Sequence, residues 1–336
     1  MKKNSVIQNN NTEQTTKLKA FLKTNFRQAR IKETVFVWVF LALPLLQFLI
    51  FYVGVNFNSI ILSFQEYVTV KVDGEWRGEY VFLTENLFRN FENVISDLFN
   101  NIEMSLIVKN SFTAYLVLTC VGLPLNILFA YVIYKKIPAA GFFQAVLYLP
   151  HIINSVVIST MFYKFVSESL PNFCQYVLNI PFPNDIMNAS DTAFFMNLFY
   201  AVWVGFGMQL ILYSGAMGRI PDSLIEYGAL EGISQFREFF QIILPLIYPT
   251  ITVFLVTGIA GIFTNQLYLY NFYREGASAY IKTMGYELYI KIIGSHSTPY
   301  DYPYASAAGV MFTVLVAPIT LLAKHLLEKY GPNVEF

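Results

Sequence analysis

Charge is scarce in this sequence. Asp, Glu, Lys and Arg together make up 13% of its 336 residues, about half the share found in an ordinary soluble domain. Two cysteines, Cys120 and Cys174, are too few for a disulfide scaffold or a thiolate metal site, and both read as free structural residues. Three histidines, His151, His296 and His325, show no H-E-x-x-H or comparable ligand spacing. No G-x-S-x-G elbow occurs. A phosphate-cradling glycine loop is missing too: Lys282-Thr283 follows Tyr280-Ile281, not a run of glycines. These absences leave no hydrolase, metalloenzyme or nucleotidase chemistry in view. A net charge of zero gives no footprint of nucleic-acid binding.

The missing charge is unevenly distributed. Six stretches, 34–65, 110–134, 137–163, 192–218, 239–273 and 302–323, contain none, and together they amount to half the chain. A helix needs roughly 20 apolar residues to cross a bilayer, and Val35–Val55, Leu116–Tyr134 and Gly309–Ala323 are strongly apolar. Strands of a membrane barrel alternate apolar and polar residues and would not produce such runs. The expected fold class is therefore an all-α polytopic membrane protein with six transmembrane helices.

Cations fix the expected orientation. Lys2, Lys3, Lys17, Lys19, Lys23, Arg27, Arg30 and Lys32 precede the first span and hold the N-terminus in the cytoplasm. Six spans return the C-terminus to that side, with Lys135 and Lys136 in a short inner loop and Lys324 and Lys329 flanking the last span. The long polar start does not read as a cleavable signal peptide and is expected to remain as the arm. The expected organisation is a basic arm over 1–33, a first span over 34–65, an extracellular segment over 66–104, a five-helix core over 105–327 and a tail over 328–336. Leu18, Phe21, Leu22 and Phe26 lie among the arm's cations at helical spacing, which reads as an amphipathic helix on the inner leaflet. A turn is expected at Asp73-Gly74. Further outer loops fall near 168–191 and 274–301. Pro171, Pro181 and Pro183 interrupt the apolar run 169–184, so it reads as an interfacial segment and not a seventh span.

Between the fourth and fifth spans, residues 217–241 look ordered. Ile220-Pro221-Asp222-Ser223 gives a helix start with Asp222 as the expected N-cap, Gly232 gives a break, and Ser234 caps a second short helix toward Phe236, Phe239 and Phe240. A helix–glycine–helix elbow on the cytoplasmic face is a rigid lever, able to dock in a groove of another protein.

This segment resembles the cytoplasmic EAA loop of bacterial binding-protein-dependent ABC importer permeases, where E-A-A-x-x-D-G is followed by Phe, Ile, Leu and Pro at fixed offsets. Here the pattern stands as Glu226, Tyr227, Gly228, Glu231, Gly232, Phe239, Ile242, Leu244 and Pro245. Tyr227 and Gly228 replace the two alanines and Glu231 replaces Asp. Ile220-Pro221 ahead of Glu226, Leu149-Pro150, Trp203 and Tyr304–Ala308 are similar to the carbohydrate branch, of the maltose and glycerophosphodiester type. The resemblance implies the six-helix type I importer (MetI-like) fold in a bacterial cytoplasmic membrane. It implies that Glu226, Tyr227, Gly228, Glu231 and Gly232 couple this chain to an ABC ATPase dimer. It also implies a second homologous permease as heterodimer partner, an extracellular solute-binding protein and a sugar substrate. No cofactor is expected on this chain, ATP and magnesium being held by the ATPase subunits.

The spans carry amides and hydroxyls without charge, the groups that hold sugars: Asn154, Gln209, Thr257 and Asn265 are the candidates. Polar groups at membrane depth are costly unless paired or facing a water-filled cavity. Positions carried over from the maltose-type permeases add Gly205 and Met208 in span four and Gly258 and Ile262 in span five, alongside Asn265. The alternatives are a permease for another small polar solute, or an ion-coupled secondary transporter. The latter calls for intramembrane carboxylates and a pseudo-repeat, and neither is evident.

Overall fold

The computed structural model describes residues 32–72, 75–183 and 185–332. The amphipathic arm, the Asp73-Gly74 turn and the end of the tail lie outside the described residues. The chain divides into two compact units, 1–61 and 62–336. The first contributes most of α1 (Lys32–Leu62), a helix long and apolar enough to cross a bilayer.

In the second unit, β1 (Gln65–Val72) and β2 (Glu75–Phe82) pair antiparallel with Gln65 opposite Phe82. The alternation Tyr67, Thr69 against Val68, Val70 is strand-like, although the segment was expected only as a loop. α2 (Arg89–Asn100) follows, and Asn90 Nδ2 ties it to the carbonyls of Ser63 and Gln65 at 2.9 and 2.8 Å. Then come α3 (Ile102–Tyr134), α4 (Ala140–Ile152), α5 (Ser155–Tyr176), α6 (Ala193–Met217), α7 (Asp222–Leu230), α8 (Gln235–Leu246), α9 (Tyr248–Ala260), α10 (Leu269–Tyr273), α11 (Met284–Ile293) and α12 (Asp301–Tyr330).

Among the described residues, four helices, α1, α3, α6 and α12, can span a membrane singly, and the count reaches six if α4–α5 and α8–α9 each form one bent span. The sequence explains both bends. At the first, of 103°, Pro150 lacks an N–H, Ile153 is extended, and Asn154 Oδ1 accepts from Val156 N at 2.9 Å to start a new helix. At the second, of 68°, Pro245 and Pro249 stand one turn apart, so the amide that would bond back across Ile247 does not exist. The charge-free run 239–273 does not continue as one helix. α9 ends at Ala260 with Gly261 at its C-cap, and residues 261–283 fold back as turns around α10.

Helix association in lipid relies on close packing and interhelical hydrogen bonds, because lipid is as apolar as leucine. One cluster joins Val94, Met104, Ile107, Phe263, Phe312 and Val316 across α2, α3, α12 and the turn after α9. Another joins Ile127, Ala130, Tyr213, Met217, Phe239 and Ile243 near the elbow. At the hairpin end, Asn110 Nδ2 reaches the carbonyls of Tyr280 and Lys282, both at 3.0 Å, and Met284 N donates to Ser111 Oγ at 2.8 Å. Gly285 packs against the 264–265 backbone so closely that a Cβ there would lie 2.5 Å from the Thr264 carbonyl. Lys282 sits 3.1 Å from both Glu103 and Glu287. Burial alone would lower its pKa, but the two carboxylates outweigh that and hold it above the ordinary lysine value.

Candidate functional site

Two features carry the candidate chemistry: the elbow between α6 and α8, and a pair of adjoining clefts beside α3.

The elbow begins with Pro221 in the N-cap position and Asp222 as the first residue of α7, which corrects the expected N-cap. Leu224 N donates to the Pro221 carbonyl at 3.0 Å. Asp222 still places negative charge in the first turn, where the helix dipole favours it. α7 ends in a Schellman turn: Ile233 N bonds the Gly228 carbonyl at 3.0 Å and Gly232 N bonds the Ala229 carbonyl at 3.1 Å. Gly232 has φ +71°, a conformation that costs a side chain strain and glycine almost none. Ser234 then caps α8 by accepting from Arg237 N at 3.4 Å, as its position in the sequence implied.

Two faces result. Gly228 is buried, and a Cβ on it would lie 3.1 Å from Ile242 Cδ1, so the second arm of the elbow closes directly over it. On the other side Leu224, Tyr227, Leu230 and Phe236 are exposed, Leu230 to 82% and Tyr227 to 66%. Glu226 and Glu231 are also exposed, and among the described residues neither has an ion-pair partner. The elbow therefore presents an apolar row flanked by unpaired carboxylates, held on a glycine hinge.

The clefts have volumes of about 260 and 500 Å³ and share Leu118, Gln209, Thr264 and Asn265. Thr257, Gly258 and Ile262 line the smaller one and Gly205 the larger. Gln209, Asn265 and these four thus come together. Asn154 and Met208 lie outside both linings: Asn154 caps α5, and Met208 is exposed on α6. Asn265 Oδ1 accepts from Leu267 N at 2.9 Å, and among the described residues its amide nitrogen has no partner. Close packing at the cleft wall comes from Gly258, whose missing Cβ leaves room for the Tyr115 ring 3.3 Å away.

The α3 wall escaped the sequence reading. Ser111, Tyr115, Thr119, Gly122 and Asn126 line the clefts from that helix. Their spacing of three to four residues is a stripe of small and polar groups along one helical face, which was the available signal. Asn126 is buried and donates to the Gly122 carbonyl at 2.8 Å, and among the described residues its own oxygen has no partner. Leu118–Gly122 is a single wider turn inside α3, a feature common at functional positions. Among the described residues, no Asp, Glu, Lys, Arg or His lines either cleft. The arrangement offers amides, hydroxyls and aromatic faces, and so suits a neutral polyhydroxylated solute.

Comparison with known proteins agrees with this architecture. The family described as binding-protein-dependent transport system inner membrane component matches residues 122–332. The chain is 21% identical to the multiple sugar-binding transport system permease protein MsmF of Streptococcus mutans, over 87% of this chain and 95% of that one. It is 24% identical to the sn-glycerol-3-phosphate transport system permease protein UgpA of Shigella dysenteriae, over 62% and 70%. A chain in the crystal structure of a bacterial alginate ABC transporter, in complex with an alginate pentasaccharide-bound periplasmic protein, superposes with a TM-score of 0.70 at 21% identity, covering 88% of this chain and 95% of that chain. Its fold is shared.

Proposed function

This chain belongs to the family of binding-protein-dependent transport system inner membrane components, and on that premise we propose that it is the permease subunit of an ATP-driven importer for a neutral sugar or oligosaccharide. The observation that carries the sugar assignment is the uncharged cleft pair, with Gln209, Asn265, Gln266 and Asn126 as amides and Tyr115 and Tyr268 as ring faces. Sugars bind through such amides and through stacking. An anionic solute or a coupling cation would call for charged partners on these walls. The relative named for multiple sugar-binding transport supports a polyhydroxylated solute.

In the proposed cycle a loaded solute-binding protein docks at the hairpin end, which faces outward, and both termini are cytoplasmic. ATP closes a pair of separate ATPase subunits. The apolar row Leu224, Tyr227, Leu230 and Phe236 seats in an ATPase groove, and Glu226 pairs with a cation there. Gly232 keeps the elbow bent while it moves as one body. The spans around the clefts then turn the path from one side of the membrane to the other. A second homologous permease supplies the facing wall. ATP and magnesium are held by the ATPase subunits and not by this chain.

Purification tests the proposal: an ATPase and a second permease are expected to copurify with this chain, and Glu226→Ala with Leu230→Ala to lose the ATPase. Reconstituted with the cognate binding protein, the complex takes up a neutral oligosaccharide only with ATP. Uptake by the chain alone down an ion gradient would overturn the proposal.

A further inference from the structure

The second arm of the elbow is held at a point the EAA pattern does not contain. Glu238 is 6% exposed, and its two carboxylate oxygens lie 2.9 and 3.0 Å from Lys135 Nζ. Lys135 directly follows α3. One turn earlier, Tyr131 places its hydroxyl 3.1 Å from the Gln235 carbonyl and 3.3 Å from Glu238 Oε1. The Tyr131 ring packs on Phe239 with centroids 4.9 Å apart. Three contacts of different kinds therefore converge on one turn of α8. A carboxylate this buried is costly unless paired, and separating the pair would leave it uncompensated. The contact is built to persist while its surroundings move.

α3 also lines both clefts, through Ser111, Tyr115, Thr119 and Asn126. We infer that Lys135 and Glu238 form the link through which movement of the elbow enters the translocation path along α3, in parallel with the covalent route from α8 into α9. The inference rests on the elbow being the ATPase-coupling element. Both are positioning residues, since neither lines a cleft nor belongs to the elbow's exposed row.

The experiment uses the full transporter, with ATPase, second permease and binding protein, in proteoliposomes. Uptake and ATP hydrolysis are measured together for wild type, Glu238→Gln, Lys135→Met and the exchanged pair Lys135→Glu/Glu238→Lys. The single variants are expected to keep the ATPase bound and hydrolysing while solute moved per ATP falls about tenfold, within the ~5–150-fold span of ordinary coupling. The exchanged pair is expected to recover most of the loss. Spin labels at Lys136 and Arg237, both exposed, are expected to keep one separation in the ATP-free and ATP-bound states. This measurement holds even where a single variant fails to assemble. Wild-type stoichiometry in assembled Glu238→Gln, or two different label separations, overturns the link and leaves the coupling role of the elbow standing. Loss of the ATPase from the wild-type preparation itself would remove the elbow reading instead.

Discussion

At the hairpin end of residues 62–332, separate elements are tied many times over. Lys282 meets Glu103 and Glu287. Tyr304 donates to Asp97 at 2.7 Å, Asn110 bridges two carbonyls, and Glu275 accepts from the Ser295 amide and hydroxyl at 2.7 and 2.8 Å. At the elbow end, among the described residues, Lys135–Glu238 is the one ion pair between separate elements, and α7 exposes Leu224, Tyr227 and Leu230 beside unpaired carboxylates. The first pattern suits a frame that stays in register while something docks on it. The second suits a part that moves as a unit and is steered at one place. Multiplicity of ties distinguishes the two ends.

The largest expected effect strikes the frame. Gly285→Val should cost about 3 kcal/mol, the upper range for overpacking, because its Cβ would run into backbone and not a yielding side chain. Thermal unfolding of the detergent-solubilised complex measures this, and a tolerated valine would break the contrast. Next comes the hinge. Gly232→Ala should cost about 1–2 kcal/mol, from left-handed backbone strain alone, since nothing lies within 4 Å of that Cβ. Gly232→Asn should cost much less, and a steric origin would make asparagine the worse of the two. Gly228→Ala, which restores the residue usual in this motif, should change stability by no more than about 1 kcal/mol, because the gain in helix propensity is set against a flexible Ile242 methyl. The smallest effect is a pH dependence. Hydrogen bonds from the Ser295 backbone and hydroxyl hold the half-buried Glu275 carboxyl below the ordinary carboxylate range. Its contribution is present above the unfolded carboxylate pKa and is lost as pH falls through the lower folded value. The melting temperatures of wild type and Glu275→Gln should therefore differ slightly at neutral pH and converge in acid.

The candidate spans, four as single helices and up to six with each bent pair counted as one, were legible because charge is costly in lipid, so the bilayer leaves its outline as runs without Asp, Glu, Lys or Arg. The elbow was legible because its turn depends on local residues: Gly232 and Ser234 act within a few positions of where they stand. Asp222 was read one place early, since Pro221 can occupy an N-cap as well as it can open a first turn. The hairpin was hidden by the expectation of a loop, although its alternation was there to see. The Lys135–Glu238 contact could not have been read, because it joins residues 103 apart, and no local pattern marks which carboxylate a distant lysine will meet. The polar stripe of α3 was readable in principle, but apolar residues filled the other faces of the helix and masked it.

The 68° angle between α8 and α9 has a mechanical consequence. A thrust along the axis of α8 has only a minor component along α9 and arrives mostly as a sideways sweep. Sliding a transmembrane helix lengthwise would drag its polar ends toward hydrocarbon, at high cost, whereas swinging it about its base leaves both ends in their own layers. In the proposed cycle Pro245 and Pro249 thus act as a crank, turning the one stroke a membrane resists into the rotation it permits.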